Sequence, residues 1–237
     1  MGLPNLLNDV PRYNIKLPSG SGEVKIRPFL VKEQKVLMIA AETKDAREIV
    51  KSMLDCVESC VEGANVQELP THDLDYAFLK IRAKSVGEKA NIITKCPSCE
   101  ADNPVSINLE AIEFSEDKSI KDIKLSDKIT LKMKYPTYKD MLKNEKIFSG
   151  DLTPTQTLFE TMFLCMDSVQ NEEENILLKD EPREEVENFV NTFSSNQLQM
   201  VTDYIESLPR VEHTQEYTCA SCSKENTFTM RGVQDFF

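Results

Sequence analysis

Two short cysteine motifs that lie 123 residues apart most constrain how this chain can fold. The first motif occupies residues 96–107 and reads CPSCEADNPVSI, and the second occupies residues 219–230 and reads CASCSKENTFTM. Each has serine before its second cysteine and an acidic residue before an asparagine, followed by an apolar, hydroxyl, apolar alternation that is typical of a strand. We interpret each motif as a metal-binding turn at the head of a β-hairpin. The predicted ligands of one structural zinc ion are Cys96, Cys99, Cys219 and Cys222.

The distance between the motifs predicts how the chain is divided. In ordinary zinc ribbons the two motifs lie ~15–20 residues apart, whereas here 119 residues separate the second cysteine of the first motif from the first cysteine of the second. We therefore expect a split ribbon, formed by residues 90–110 and 211–237. A largely helical α+β insertion would occupy residues 111–210, and a strand and helical module would occupy residues 1–89. The predicted fold class is α+β.

The cysteines also admit other interpretations. A redox dithiol places CxxC at the start of a helix after a strand, but each motif here precedes a strand-like segment, so redox catalysis is disfavoured and reduced thiols without metal remain the main alternative. The chain has seven cysteines, and an odd number argues against a disulfide framework. The three cysteines outside the motifs lie in helical apolar patterns and are expected to be buried as small hydrophobic residues: Cys56, Cys60 and Cys165.

Apolar periodicity predicts several helices. One is expected over about residues 30–42, with a core-facing stripe formed by Val31, Val36, Leu37, Ile39 and Ala40. Asp45 is the expected N-cap of a second helix, and Ser194 or Ser195 is the expected N-cap of a late one.

Composition excludes several functional classes. The chain carries 28 Lys and Arg against 40 Asp and Glu, so its formal net charge is −12 and its field repels the phosphates of nucleic acid. No apolar segment approaches the ~20 residues that a membrane span needs, and residues 1–10 lack the basic start and apolar core of a secretory signal. No catalytic constellation stands out. We therefore expect neither a membrane protein, nor a secreted disulfide scaffold, nor an enzyme.

A few other polar residues are candidates for specific roles. His72 is expected to be a solvated neighbour of a helix start, and His213 is a spare metal ligand that a four-cysteine site does not need. The acidic segment 172–174 is expected to be a solvated loop, because it lacks the spacing of a calcium-binding loop.

A local basic island is either a solvated helix face or a docking surface for an acidic protein. Its residues are Lys80, Arg82 and Lys84.

Three segments carry a family resemblance: RPFLVKEQK at residues 27–35, LPTHDLDYAFLKIRAKSVGE at 69–88, and CPSC at 96–99. Over about residues 12–110 the chain resembles the baseplate proteins of T-even-like contractile-tailed bacteriophages, specifically the hub subunit that is also described as a hub assembly protein. The resemblance implies a non-enzymatic structural or assembly protein of the central hub, with other hub or tape-measure proteins as partners. It implies the virion tail baseplate, or the host cytoplasm during assembly, as the location, and leaves open whether the protein stays in the virion or leaves as a chaperone.

Two further hypotheses rest on the residues alone. Zinc ribbons are common in nucleic-acid-binding regulators, which makes such a regulator the alternative function, although the net charge counts against it. The terminal segment 235–237, with two phenylalanines, is either a docking anchor or an end that closes the core.

Overall fold

The chain forms a mixed α+β structure of several small sheets and, in the part that the structure describes, seven α-helices. The computed structural model describes residues 9–112, 114, 117 and 119–231. The predicted α+β class is therefore confirmed, whereas the terminal segment 235–237 lies outside the described residues. Two compact units are present, one formed by residues 1–115 with 210–237 and the other by residues 116–209.

The elements follow one another along the chain with short connections. The helices are α1 (Val31–Thr43), α2 (Ala46–Cys60), α3 (Thr71–Val86), α4 (Tyr138–Lys143), α5 (Pro154–Cys165), α6 (Arg183–Asn191) and α7 (Ser195–Ser207). The strands are β1 (Tyr13–Lys16), β2 (Glu23–Ile26), β3 (Val61–Glu62), β4 (Lys89–Lys95), β5 (Asp102–Asn108), β6 (Asp122–Lys124), β7 (Thr130–Met133), β8 (Met166–Gln170), β9 (Asn175–Leu177), β10 (Glu212–Thr218) and β11 (Glu225–Arg231). None of the described helices is long and apolar enough to cross a membrane.

The first unit combines a small sheet, three helices and two hairpins. Strands β1, β2 and β3 form an antiparallel sheet in that order, α2 packs against both α1 and α3, and β4–β5 and β10–β11 are separate antiparallel hairpins. As predicted, Asp45 caps α2, since its carboxylate accepts hydrogen bonds from the backbone N–H groups of Arg47 and Glu48. The largest side chains that are fully buried in this unit include Met53, Leu74, Phe78 and Ile81.

A buried ion pair fixes the start of α1. The Arg27 guanidinium donates to Oε1 of Glu33 over 2.9 Å and to the Ser59 carbonyl over 2.7 Å, and both charged side chains are almost completely shielded from solvent. The other carboxylate oxygen of Glu33 accepts the backbone N–H of Leu30 over 2.7 Å, which satisfies an amide at the helix N-terminus. The first and seventh residues of the RPFLVKEQK segment are thereby joined inside the protein.

Only one narrow face of α1 is buried. Its buried residues are Glu33, Leu37 and Ala40, which are spaced so that they lie on one side of the helix. Its exposed apolar residues are Val31, Val36, Met38 and Ile39, with exposed fractions of 70%, 47%, 58% and 62%. The predicted core stripe is therefore wrong for Val31, Val36 and Ile39. The Glu33 ion pair sets the rotation of the helix, and the apolar side chains on the other faces are left in solvent.

The second unit is a four-stranded antiparallel sheet covered by helices. The strand order is β6-β7-β8-β9, with α4 and α5 inserted between β7 and β8. Helix α7 packs on α5, and the Ser194 hydroxyl caps α7 by accepting the Gln197 N–H, as predicted. The acidic segment 172–174 is exposed in the turn between β8 and β9, as predicted. The fully buried centre of this unit contains Leu131, Met162, Cys165 and Val201.

Replacing Glu33 by glutamine tests the buried ion pair. Glu33→Gln leaves the Arg27 charge buried without its counter-ion, so we expect the free energy of unfolding, measured by urea denaturation, to fall by about 3 kcal/mol. The matched control is Glu42→Gln, at an exposed glutamate of the same helix. This substitution should change the free energy of unfolding little. Equal stability of the two variants would contradict the account.

The same pair predicts an acid dependence. Burial acts to raise the pKa of Glu33, but hydrogen bonds from Arg27 and from the Leu30 backbone outweigh it and hold the pKa below the ordinary value of 4.5. The carboxylate therefore contributes stability that is fully present above pH 4.5 and is lost as the pH falls through the folded-state pKa. The stability difference between wild type and Glu33→Gln should shrink in that acidic range and stay constant from pH 5 upward.

Candidate metal centre

Each cysteine motif forms the tip of an antiparallel hairpin. In the first hairpin Lys95 of β4 pairs with Asp102 of β5, and in the second Thr218 of β10 pairs with Glu225 of β11. The loops between these pairs are therefore equivalent, residues 96–101 and residues 219–224. The sequence repeat thus corresponds to a repeat of backbone structure.

The two loops fold through the same hydrogen bonds. In the first loop the Cys96 N–H donates to the Ala101 carbonyl over 2.9 Å, and the Glu100 N–H donates to the Cys96 carbonyl over 2.8 Å. The second loop repeats both bonds, each over 2.9 Å, between residues at the equivalent positions. Glu100 and Ser223 both have φ of 58°, in the left-handed region, so the same residue of each loop turns the chain back towards its strand.

The two loops bring all four sulfurs together. The Sγ atoms of Cys96 and Cys222 are 3.7 Å apart, those of Cys99 and Cys219 are 3.6 Å apart, and all four lie within 4.8 Å of one another. Cys96 and Cys219 are buried, Cys222 is partly buried and Cys99 is exposed. Among the described residues, this is the group of histidine, cysteine and acidic side chains that could hold a metal ion. No fifth protein ligand is required, because four thiolates complete a tetrahedron.

Local surroundings shift the pKa values of three of these thiols in different directions. Hydrogen bonds from the backbone of Cys222 outweigh desolvation and, with a smaller contribution from Ser221, lower the pKa of Cys219 to about 6. The Ser98 amide lowers the pKa of Cys96 in the same way. A hydrogen bond from the Ala101 amide also acts to lower the pKa of Cys99. Desolvation and hydrogen bonds with the other three thiols outweigh it and raise the pKa to about 11. At neutral pH a metal ion would therefore have to displace a proton from the cluster.

The two histidines lie outside this cluster. His213 is in β10, paired with Met230 in the hairpin, and is not part of the metal-binding group. His72 is 2% exposed, so the expectation of a solvated side chain is wrong. Its neighbour Asp73 is a fully buried carboxylate whose Oδ1 lies 3.8 Å from Nε2 of His72, and it accepts hydrogen bonds from the backbone and hydroxyl of Ser19 and from the hydroxyl of Ser21. These bonds fix the turn between β1 and β2 over the start of α3.

Two of the three residues of the predicted basic island lie close to an acidic residue that the sequence did not single out. Lys84 forms an ion pair of 2.8 Å with Oε1 of Glu110, and Lys80 lies 3.8 Å from the other carboxylate oxygen. The hydrogen bond from Lys84, with both nearby positive charges, lowers the pKa of Glu110 below its ordinary value. These lysines therefore tie α3 to the end of the first hairpin and are neither simply solvated nor free for an acidic partner.

The remaining cysteines have the predicted environment. Cys56, Cys60 and Cys165 are all buried, and burial raises the pKa of the Cys165 thiol to about 12. A buried thiol with a raised pKa is a poor nucleophile, so Cys165 serves as a small hydrophobic side chain. Cys56 and Cys60 form a hydrogen bond with each other, which lowers the pKa of Cys60.

Chemical cross-linking tests the convergence of the two loops. Because sulfur atoms of different loops are 3.6 and 3.7 Å apart, a short bifunctional thiol reagent should join the two motifs in the folded, metal-free protein. Mass spectrometry of the digest would show a peptide of the first motif linked to a peptide of the second. Denatured protein, as the control, should give links within each motif only. The same restricted pattern in folded protein would contradict the geometry.

Comparison with known proteins identifies the family. No curated protein and no solved structure matches the chain significantly. A family model described as T4 bacteriophage base plate protein matches residues 10–237, which include both units and both cysteine motifs. The match confirms the resemblance to baseplate proteins that the sequence shows, and it indicates a structural role in the phage baseplate. The chain belongs to the T4 bacteriophage base plate protein family.

Proposed function

We propose that this chain is a non-enzymatic structural or assembly protein of the central hub of a contractile phage tail baseplate, and that it acts by docking to other proteins around a structural zinc site. The family match over residues 10–237 supports the baseplate role. The observation that carries the rest of the proposal is the convergence of four sulfurs from two distant hairpins. Such a site stabilises the fold rather than supporting a reaction.

The sulfur geometry favours zinc. Four sulfurs at the zinc–sulfur distance of ~2.3 Å form a tetrahedron with edges of about 3.8 Å, and two sulfur–sulfur distances between the motifs are 3.6 and 3.7 Å. A closed set of four thiolates leaves no open position for water or substrate, which supports a structural role. Four thiolates and one dication would change the formal charge from −12 to −14. Zinc binding would therefore not attract nucleic acid.

A zinc ion at this position would define the domain organisation. We infer that residues 90–110 and 211–237 are the two halves of one zinc ribbon, and that residues 111–210 are an insertion between them. Residues 1–89 would form the preceding strand and helical module. The separate compact unit at residues 116–209 supports this division. The metal would then fix the start and the end of the insertion at one point.

Zinc content and thermal stability test the metal proposal. We expect about one zinc ion per chain, and we expect Cys96→Ser or Cys222→Ser to remove it and lower the melting temperature by on the order of 10 °C, since about 2–4 °C corresponds to 1 kcal/mol at this chain length. Ser221→Ala, an exposed hydroxyl in the same loop, is the control and should keep both zinc and stability. Unchanged melting after complete metal loss would refute a structural role.

Helix α1 is the best candidate for a docking surface. Its four exposed apolar residues, named above, are a large share of the exposed apolar side chains in the described chain, and isolated apolar clusters of this kind mark protein contacts. Lys32 and Lys35 are exposed and lie among them on the same side of the helix. We propose that this surface takes an apolar segment with acidic flanks on another hub or tape-measure protein. The inserted helices within residues 155–208 would supply further contacts.

Co-purification from infected bacteria tests this surface. Ile39→Lys should reduce recovery of hub or tape-measure proteins, identified by mass spectrometry, at least about ten-fold, because a buried charge replaces an apolar contact worth 1–2 kcal/mol. Its melting temperature should stay unchanged, since Ile39 is 62% exposed. Ile120→Lys, at a 72% exposed isoleucine of the other unit, is the matched control. Equal recovery by both variants would contradict docking through α1.

The location during the phage life cycle is part of the same proposal. The protein would work in the host cytoplasm during assembly and in the virion tail baseplate if it is retained. Its presence in purified virions would indicate a permanent hub subunit, and its absence would indicate an assembly chaperone that leaves.

A further inference from the structure

Two asparagines at equivalent positions of the repeat reach across to the opposite motif. The Nδ2 atom of Asn103, in β5, lies 3.6 Å from Sγ of Cys219, and the Nδ2 atom of Asn226, in β11, lies 3.7 Å from Sγ of Cys96. Each asparagine follows one hairpin loop and donates to the first cysteine of the other. The two contacts therefore cross between the hairpins in the same manner.

Each asparagine also holds its own loop. The same Nδ2 group donates to the Ala101 carbonyl over 2.8 Å in the first loop and to the Lys224 carbonyl over 2.9 Å in the second. A side-chain amide has two N–H bonds, so one can fix the loop while the other points at sulfur. An asparagine in this place couples the shape of one loop to the position of a sulfur in the other.

The two asparagines differ in burial and in their contacts to the opposite loop. Asn103 is 2% exposed, and its carbonyl oxygen accepts the backbone N–H of Ala220 over 2.9 Å, which is a second link to the opposite loop. Asn226 is only partly buried. Asn103 thus binds both the backbone and the sulfur of the second motif.

We infer that Asn103 and Asn226 are positioning residues of the metal centre, which hold the two cysteine motifs against each other before the metal binds. This inference rests on the proposed metal site and deepens it. An N–H group directed at sulfur favours the thiolate and fixes the direction of its lone pairs, as outer contacts do for metal ligands in general. The loops then meet with little further ordering when the ion arrives, so the site binds more tightly.

The test compares asparagine variants in two independent measurements. Asn103→Asp keeps the size of the side chain but loses the N–H donors, and Asn103→Ala removes the amide altogether. By competition with a chelator we expect both to weaken zinc binding about 10–100-fold, and Asn226→Ala to weaken it less. In metal-free protein, cross-links between the two motifs should also become fewer in the Asn103 variants. Asn91→Ala, an exposed asparagine of β4, should match wild type in both measurements.

The outcomes separate this inference from the metal proposal. If wild-type protein binds no metal at the four cysteines, the proposed zinc site fails. If wild type binds zinc and all three variants match it in affinity and in metal-free cross-linking, the positioning role is overturned while the zinc site stands. Should the Asn103 variants fail to fold, Asn226→Ala decides, because its more exposed site tolerates substitution. In cobalt-substituted protein, Asn226→Ala should shift the sulfur-to-metal charge-transfer band. An unchanged spectrum together with unchanged metal affinity would refute the inference.

Discussion

The contact between two hairpin tips is the interaction on which the rest of this structure depends. It brings together sulfurs of cysteines with 119 residues between them in the chain, Cys99 and Cys219. Closing a loop of about 100 residues costs on the order of 5 kcal/mol in chain entropy, and hydrogen bonds between the hairpins, such as that from the Ala220 N–H to Asn103, offset part of this cost. A metal ion bound by all four cysteines would add stabilisation at the same point, which is why the zinc proposal is central to the account.

The segments that carry the family resemblance have mainly internal roles. The RPFLVKEQK segment contains the buried pair of Arg27 and Glu33, which determines how α1 is rotated. In the segment that forms α3, Asp73 secures the turn between β1 and β2, and Lys84 secures the end of the first hairpin through Glu110. These contacts position the first cysteine motif within its unit. The surface proposed for docking includes the exposed Val31, Lys32 and Lys35 of the first segment and continues along the exposed side of α1.

Local features of the sequence predicted much of the fold and the members of the candidate site. The helix cap at Asp45 depends only on neighbouring residues, and the convergence of the cysteine motifs follows from a repeat that is visible in the chain. Burial could not be predicted in the same way. His72 lies in a buried helix start, where Asp73 binds serines more than 50 residues away, and the apolar residues of α1 are exposed because the buried pair of Arg27 and Glu33 sets the helix rotation. Neither the asparagine contacts to sulfur nor the neutralisation by Glu110 has a local signature.

X-ray absorption at the zinc edge of the purified protein tests the central claim most directly. The account predicts a single shell of four sulfur atoms at about 2.3 Å and no nitrogen or oxygen ligand. A spectrum with a histidine or water ligand, or zinc bound in less than stoichiometric amount with the four thiols free to react, would contradict it. A cluster of iron and sulfide at the same cysteines would preserve the convergence of the hairpins but would refute zinc as the metal.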